Sequence, residues 1–117
     1  MADLDGTPPR RVARRGYAER LNAALLSLAA HHAQVLEYVE QPWASVTYSG
    51  TRHRVTLWFN GAEAVAAGEE FIACLADHEF TIPGRLVADA EIGEVHHRMH
   101  PCPSLEVHCE VLLLEDS

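Results

Sequence analysis

The chain has 117 residues, a length that suits one domain with its own hydrophobic core. Its hydrophobic share of 48% and charged share of 22% are those of an ordinary globular protein, and no apolar run is long enough for a membrane-spanning helix. The net charge of -8 is uneven, because residues 55–117 hold twelve acidic residues and only two arginines. Since phosphate backbones are bound by clustered basic residues, this acidic half argues against a nucleic-acid partner.

Localisation and domain organisation follow from the cysteines and from the N-terminal residues. An odd number of cysteines, three, together with an acidic N-terminus lacking an uninterrupted apolar segment, predicts a cytoplasmic protein without an export signal. All nine basic residues are arginine and alanine is abundant, which is typical of a GC-rich genome and favours a bacterial origin. Residues 1–9 have little to bury, so we expect a disordered tail followed by a single domain over residues 10–117.

The first predicted element is a long helix. Apolar residues recur at steps of three and four from Tyr17 to Val39, and Pro42 disfavours helical geometry at Gln41. We therefore predict a helix over residues 17–40, about 36 Å long at roughly 1.5 Å per residue. A helix of this length would overhang so small a domain, which favours packing against a second copy in a homodimer.

A β-hairpin is predicted next, over residues 43–48 and 51–59, with Ser49 and Gly50 as a two-residue turn. In this register one face of the hairpin is mainly apolar and the other is polar, which supports the pairing. The residues expected on the apolar face are Ala44, Val46, Tyr48, His53, Val55, Leu57 and Phe59.

The C-terminal half predicts a second helix and a second pair of strands. Residues 60–63, Asn-Gly-Ala-Glu, resemble a capping box and predict a helix over residues 61–77. Alternation of apolar and polar residues then predicts strands over residues 86–93 and 105–113. Two prolines place residues 98–104 in the connecting loop.

These elements predict an α+β fold, a two-layer sandwich with helices on one face of an antiparallel sheet. The order is α-β-β-α-(β)-β-β, in which the bracketed strand is the short segment 80–82. The other face of the sheet would lie open to water or to a second subunit. It would carry the charged residues Arg52, Arg54, Asp89, Glu91, Glu106 and Glu110.

Residues 96–109 contain four of the eight histidines and two of the three cysteines. These residue types bind transition metals and transfer protons near neutral pH. The spacing departs from the usual zinc motifs, so a histidine-bearing hairpin end without a metal is the favoured interpretation. Zinc is the one candidate cofactor. Side chains alternate along the last predicted strand so that Cys109 points inward, which excludes this residue from the zinc site. The predicted ligands are His96, His100, Cys102 and His108.

A second candidate site would bind a small molecule. His32 lies on the apolar stripe of the first predicted helix, and His53 lies on the apolar face of the hairpin. If the helix crosses the sheet at that point, these histidines would line a pocket together with Tyr48 and Trp58. Each histidine is otherwise expected to be a hydrogen-bonded core residue.

The predicted function is that of a small cytoplasmic bacterial binding or accessory domain, acting as a homodimer without nucleic acid or membrane partners. Two alternatives remain open: a metal-dependent or histidine-based enzyme using residues 96–109, and a structural subunit of a larger assembly. Motifs of nucleotide-binding loops, serine hydrolases and zinc proteases are absent from the sequence.

Overall fold

The computed structural model describes residues 8–115 of the chain. Of the tail predicted over residues 1–9, Pro8 and Pro9 belong to the first helix, and the remainder lies outside the described residues. Within residues 8–115 no helix has the length and apolar character needed to cross a membrane. The elements in chain order are α1 (Pro8–Leu28), β1 (Ala33–Ala44), β2 (Ser49–Asn60), α2 (Ala62–Cys74), a short 3-10 turn (Leu75–Asp77), β3 (Arg85–Arg98) and β4 (Ser104–Glu115).

The four strands form one antiparallel sheet in the order β1-β2-β4-β3. This arrangement of two helices and a four-stranded sheet confirms the predicted α+β class. One face of the sheet, the covered face, packs under the helices, and the opposite face, the open face, does not. Because paired residues of neighbouring strands point to the same side, the register assigns each strand residue to one of these two faces.

The hydrophobic core lies between the covered face and the helices. Leu21 and Leu25 of α1 and Phe71 of α2 are fully buried against alternate residues of the two central strands. Those strand residues are Val55, Leu57, Phe59, Leu105, Val107, Cys109, Val111 and Leu113. The predicted inward faces of both central strands are therefore confirmed.

Gly68 allows α2 to lie close to the sheet. A Cβ atom at this position would lie 2.7 Å from Cδ2 of Leu105 and 2.9 Å from Cγ of Phe59, so a larger residue would push the helix away. Phe59 and Phe71 pack against each other just beside it, with ring centroids 6.1 Å apart. This close approach brings α2 into contact with Phe59 and Leu105 of the sheet.

The predicted helix over residues 17–40 is wrong at its C-terminal end, because α1 ends at Leu28 and β1 occupies residues 33–44. The helix stops in a Schellman motif, in which His31 N donates to Leu26 O at 2.8 Å and Ala30 N donates to Ser27 O at 3.0 Å. Ala30 adopts the left-handed conformation there, with φ of 57°. Glycine usually occupies this position, so the sequence lacks the usual signal for a helix end. The helix also begins earlier than predicted, at Pro8, so its 21 residues make it nearly as long as the predicted helix, and the homodimer stays a prediction.

The turn between the first two strands also differs from the prediction. Residues 45–48 form the loop, Ser45 N donates to Tyr48 O at 2.7 Å, and Ser49 and Gly50 belong to β2. The Ser45 hydroxyl stabilises this turn by accepting from the backbone N–H groups of residues 47 and 48. Val46 and Tyr48 are consequently exposed and do not face the core.

The start of α2 has no side-chain cap. Gly61 is its N-cap residue, and the capping box predicted from Asn60 and Glu63 does not form. The helix itself and the 3-10 turn that follows it cover residues 62–77, close to the predicted 61–77. Of the short strand predicted over residues 80–82, Ile82 forms a single bridge with Arg85.

Strand β3 is longer than predicted and contains two bulges. The first lies between Val87 and Asp89, so Val87 shares the covered face with Ala90 and Ile92. The predicted alternation, which placed Val87 on the face opposite Ala90, is therefore wrong at this point. The second bulge lies between Ile92 and Val95, in the part of the sheet that carries the candidate site.

Candidate metal centre on the open face

The open face presents residues of β2, β4 and β3 in rows that run across the sheet. Starting from the β3–β4 loop, the rows are Asn60–Ser104–Arg98, then Trp58–Glu106–His96, then Thr56–His108, then Arg54–Glu110–Glu91. All six charged residues predicted for this face lie on it by register. Polar and ionisable side chains therefore occupy the middle of a sheet surface that the helices leave uncovered.

The second bulge of β3 brings His96 onto this face. Ile92 pairs with Cys109 and Val95 pairs with Val107, so Gly93 and Glu94 together lie opposite the single residue His108. Without the extra residue, strict alternation from Ile92 would turn His96 toward the helices. Bulges commonly redirect side chains in this way beside functional sites.

Glu94, His96 and His108 form a group that could hold a metal ion, with one ligand atom of each lying within 4.8 Å of the others. His96 Nε2 lies 3.2 Å from Glu94 Oε1. Two ligand atoms bound to one tetrahedral zinc ion are about 3.3 Å apart, given bonds of roughly 2.0–2.2 Å. This pair already has the required separation, and a ligand atom of His108 lies within 4.8 Å of both.

The imidazole of His108 is held in place on both sides. Its Nε2 lies 2.7 Å from Glu106 Oε2, and its Nδ1 lies 3.4 Å from the hydroxyl oxygen of Thr56. The rings of His96 and His108 pack edge to face, with centroids 5.7 Å apart. A carboxylate that holds a histidine ring is the usual outer partner of a metal ligand, since it fixes the tautomer and the ring orientation.

Two depressions flank this group on the open face. The first, of about 200 Å³, is lined by Arg54, Val55, Thr56, Glu91, Gly93, His108, Cys109 and Glu110. The second, of about 320 Å³, is lined by Trp58, His96, His97, Arg98, Ser104 and Glu106. Because each depression contains one of the two grouped histidines, both are next to the candidate metal centre.

Ion pairs neutralise most of the charge beyond His108. Glu110 accepts from both Arg52 Nη1 and Arg54 Nε at 3.0 Å, across the β2–β4 pairing. On β3, a hydrogen bond with Asp89 raises the pKa of Glu91 above its ordinary value, and the charges of Asp89 and Glu110 act in the same direction. This end of the open face is a network of compensating charges.

The structure separates the four predicted zinc ligands into two pairs. His96 and His108 meet on the open face, whereas His100 and Cys102 are exposed in the loop between β3 and β4 and are not members of the group. Cys109 points to the covered face, as predicted, where burial raises the pKa of its thiol to about 12. Glu94 was missing from the predicted set, although Gly93 within an alternating segment is a sequence signal for a bulge at this point.

The four residues predicted to line a small-molecule pocket lie in different places. His32 is exposed just before β1, and Tyr48 is exposed in the β1–β2 turn. Trp58 lies on the open face in the second depression. His53 is 2% exposed on the covered face, so the sheet itself separates it from Trp58.

His53 belongs instead to a polar group within the core. Its Nδ1 hydrogen-bonds to the hydroxyl of Tyr38, which also donates to Glu40 at 3.3 Å. Burial lowers the pKa of His53 to about 4, and the nearby charge of Arg85 acts in the same direction. Burial and Glu40 together raise the pKa of Tyr38. Both side chains are therefore neutral at physiological pH.

No protein-family model, no curated protein and no solved structure matches this chain.

Proposed function

We propose that the protein is a binding domain that holds one divalent transition-metal ion on the open face of its sheet, and that this ion is zinc. The ligands are Glu94, His96 and His108. The observation that carries the proposal is that two histidines and a carboxylate from adjacent strands place one ligand atom each within 4.8 Å of the others.

The chemistry of the donors supports a transition metal over calcium or magnesium. Calcium and magnesium take oxygen ligands, whereas imidazole nitrogen suits zinc and its neighbours in the first transition row. Three protein donors leave at least one coordination position open, which is the pattern of sites that bind or activate a further ligand. This open position keeps a metal-dependent enzyme as the second candidate function.

The outer contacts also support the proposal. Glu106 holds His108 through a hydrogen bond of 2.7 Å, and Thr56 lies on the other side of the ring. A metal ligand gains affinity from a carboxylate that holds its other ring nitrogen. With Nε2 held by Glu106, the metal would bind Nδ1 and replace its 3.4 Å contact with Thr56. The grouped side chains are also accessible, since those of Glu94 and His96 are 77% and 61% exposed.

Isothermal titration of the chelator-treated, tag-free protein with zinc chloride tests the proposal. We expect one site per chain with a dissociation constant of about micromolar or tighter. Removing a ligand by His96→Ala or His108→Ala should weaken zinc binding about a hundredfold or more, since even outer partners of a metal contribute roughly ten- to a hundredfold.

The control variant is His97→Ala. His97 is the next residue along β3 and is also exposed; it lines the second depression but is not a member of the group. Its replacement should leave zinc affinity within about twofold of the wild type, because it removes a surface imidazole without touching the group. Uptake of less than about a tenth of an equivalent of zinc, or equal losses in all three variants, would contradict the proposal.

A further inference from the structure

The depression beside His96 has the composition of a site for an anionic ligand. Its volume of about 320 Å³ is within the range of small-molecule pockets. It contains an aromatic side chain, an arginine and a hydroxyl, contributed by Trp58, Arg98 and Ser104. His96 lines the same depression, so a molecule seated there would contact a ligand of the proposed metal ion.

Arg98 is the positively charged side chain that lines this depression. It lies two residues beyond His96 on the same face of β3, a separation of about 6.6 Å along the strand. Among residues 16–115 it forms no ion pair, in contrast to Arg52 and Arg54, which share Glu110. Its guanidinium group presents a planar fork of donors that matches a carboxylate.

We propose that this depression binds a small carboxylate, one oxygen of which takes the open position on the metal while Arg98 binds the carboxylate group. The inference rests on the proposed function, because the metal supplies one of the two contacts. Trp58 flanks the same space with a flat apolar surface, which favours a ligand with an apolar or aromatic body.

Charge favours a carboxylate over a phosphate. Glu106 lines the same depression and Glu94 is a metal ligand in the proposed site, so two carboxylates already offset the charge of the ion. Arg98 then contributes one further positive charge, which balances a monoanion. A dianionic phosphate would face an excess of negative charge beside Glu106.

The probe is benzoate, tested on the full chain loaded with cobalt(II), whose visible absorption reports changes at the metal. Benzoate should change the cobalt spectrum in a saturable manner with a dissociation constant of about millimolar, as expected for a small ligand with few contacts. Benzyl alcohol, which has the same ring without the charge, should bind about tenfold more weakly or not at all.

Two variants separate the depression from the metal ligands. Arg98→Gln should weaken benzoate binding about tenfold or more, since it removes a charge-assisted hydrogen bond, while leaving cobalt affinity within about twofold. Arg52→Gln removes an arginine from the same face but outside the depression, and should leave both affinities unchanged.

The outcomes distinguish this inference from the proposed function. A chain that takes up no cobalt or zinc overturns both. Cobalt binding with a spectrum that benzoate does not change, or benzoate binding that Arg98→Gln does not weaken, overturns the carboxylate site alone. Inorganic phosphate that binds more tightly than benzoate at the same Arg98-dependent site also overturns it, because the ligand class is then a phosphate.

Discussion

Histidine occurs on both faces of the sheet, and its surroundings on the two faces are opposite. His53 on the covered face is almost completely buried, and its partner is the hydroxyl of Tyr38. His96 and His108 on the open face lie beside the carboxylates of Glu94 and Glu106, and their rings are accessible to solvent. The same residue type is thus a structural element of the core on one face and a candidate ligand on the other.

The face of the sheet, rather than the residue type, decides what a histidine in this fold can do. Burial disfavours the charged imidazole and excludes ions, so His53 contributes to packing and to one internal hydrogen bond. An exposed imidazole with a carboxylate neighbour remains available to protons and to metals. Substitutions on the two faces should therefore differ in their effects.

Truncation of the covered face should cost the most stability. Phe59 is fully buried and contacts both Phe71 and the position of Gly68. Phe59→Ala should lower the free energy of unfolding by about 3–5 kcal/mol, through lost burial and the cavity left behind. Arg54→Ala, on the open face of the same strand, should cost less than about 1 kcal/mol. Equal losses of free energy in urea denaturation would show that the open face is also packed.

The buried histidine should make the protein less stable in mild acid. Because the pKa of His53 is about 4 in the folded chain and near 6.5 when unfolded, the unfolded chain binds the extra proton first. The contribution of His53 to the free energy of unfolding is therefore fully present above about pH 6.5. It is lost as the pH drops toward 4, by up to about 3 kcal/mol. Urea midpoints measured across this window test the expectation.

The matched variant for this test is His53→Leu, which replaces the titrating group with an apolar side chain. The groups that face His53 are Tyr38 and Glu40 of β1 and Arg85 of β3, and all of them remain in the variant. We expect a smaller loss of stability between about pH 6.5 and pH 4 than in the wild type. An unchanged pH dependence would mean that other groups cause the acid sensitivity.

The ion pairs of the open face should contribute least. Glu110→Gln removes the carboxylate that Arg52 and Arg54 share, on a surface where the side chain of Arg54 is 58% exposed. The expected loss is less than about 1 kcal/mol, and added salt should reduce it because exposed ion pairs are screened. Thermal melts at low and high ionic strength measure it. A larger loss that persists in high salt would indicate that this face is buried against a partner.

Much of the fold could be predicted from alternation alone. The inward residues of β2 and β4 and the charged open face follow from periodicities that tertiary packing does not override. The end of α1 could not be predicted, because Ala30 occupies a left-handed position that glycine usually fills. The apolar residues with helical spacing therefore continue into β1, where Val35 and Val39 pair with β2 instead.

The candidate site could be predicted only in part. His96 and His108 stand out as ligand types near each other in sequence, but so do His100 and Cys102. Which of these meet depends on strand register, and the bulge at Gly93 and Glu94 shifts that register by one residue. A shift of one residue exchanges the two faces of the strand. Strict alternation from Ile92 would therefore place Glu94 on the covered face, away from the group.

The most direct test of the metal centre is to locate the ion. Crystals grown with zinc chloride, measured above and below the zinc absorption edge, should show one anomalous peak on the open face. The peak should lie about 2.0–2.2 Å from ligand atoms of Glu94, His96 and His108. Zinc bound only at His100 and Cys102 in the β3–β4 loop, or no peak on the open face, would contradict it.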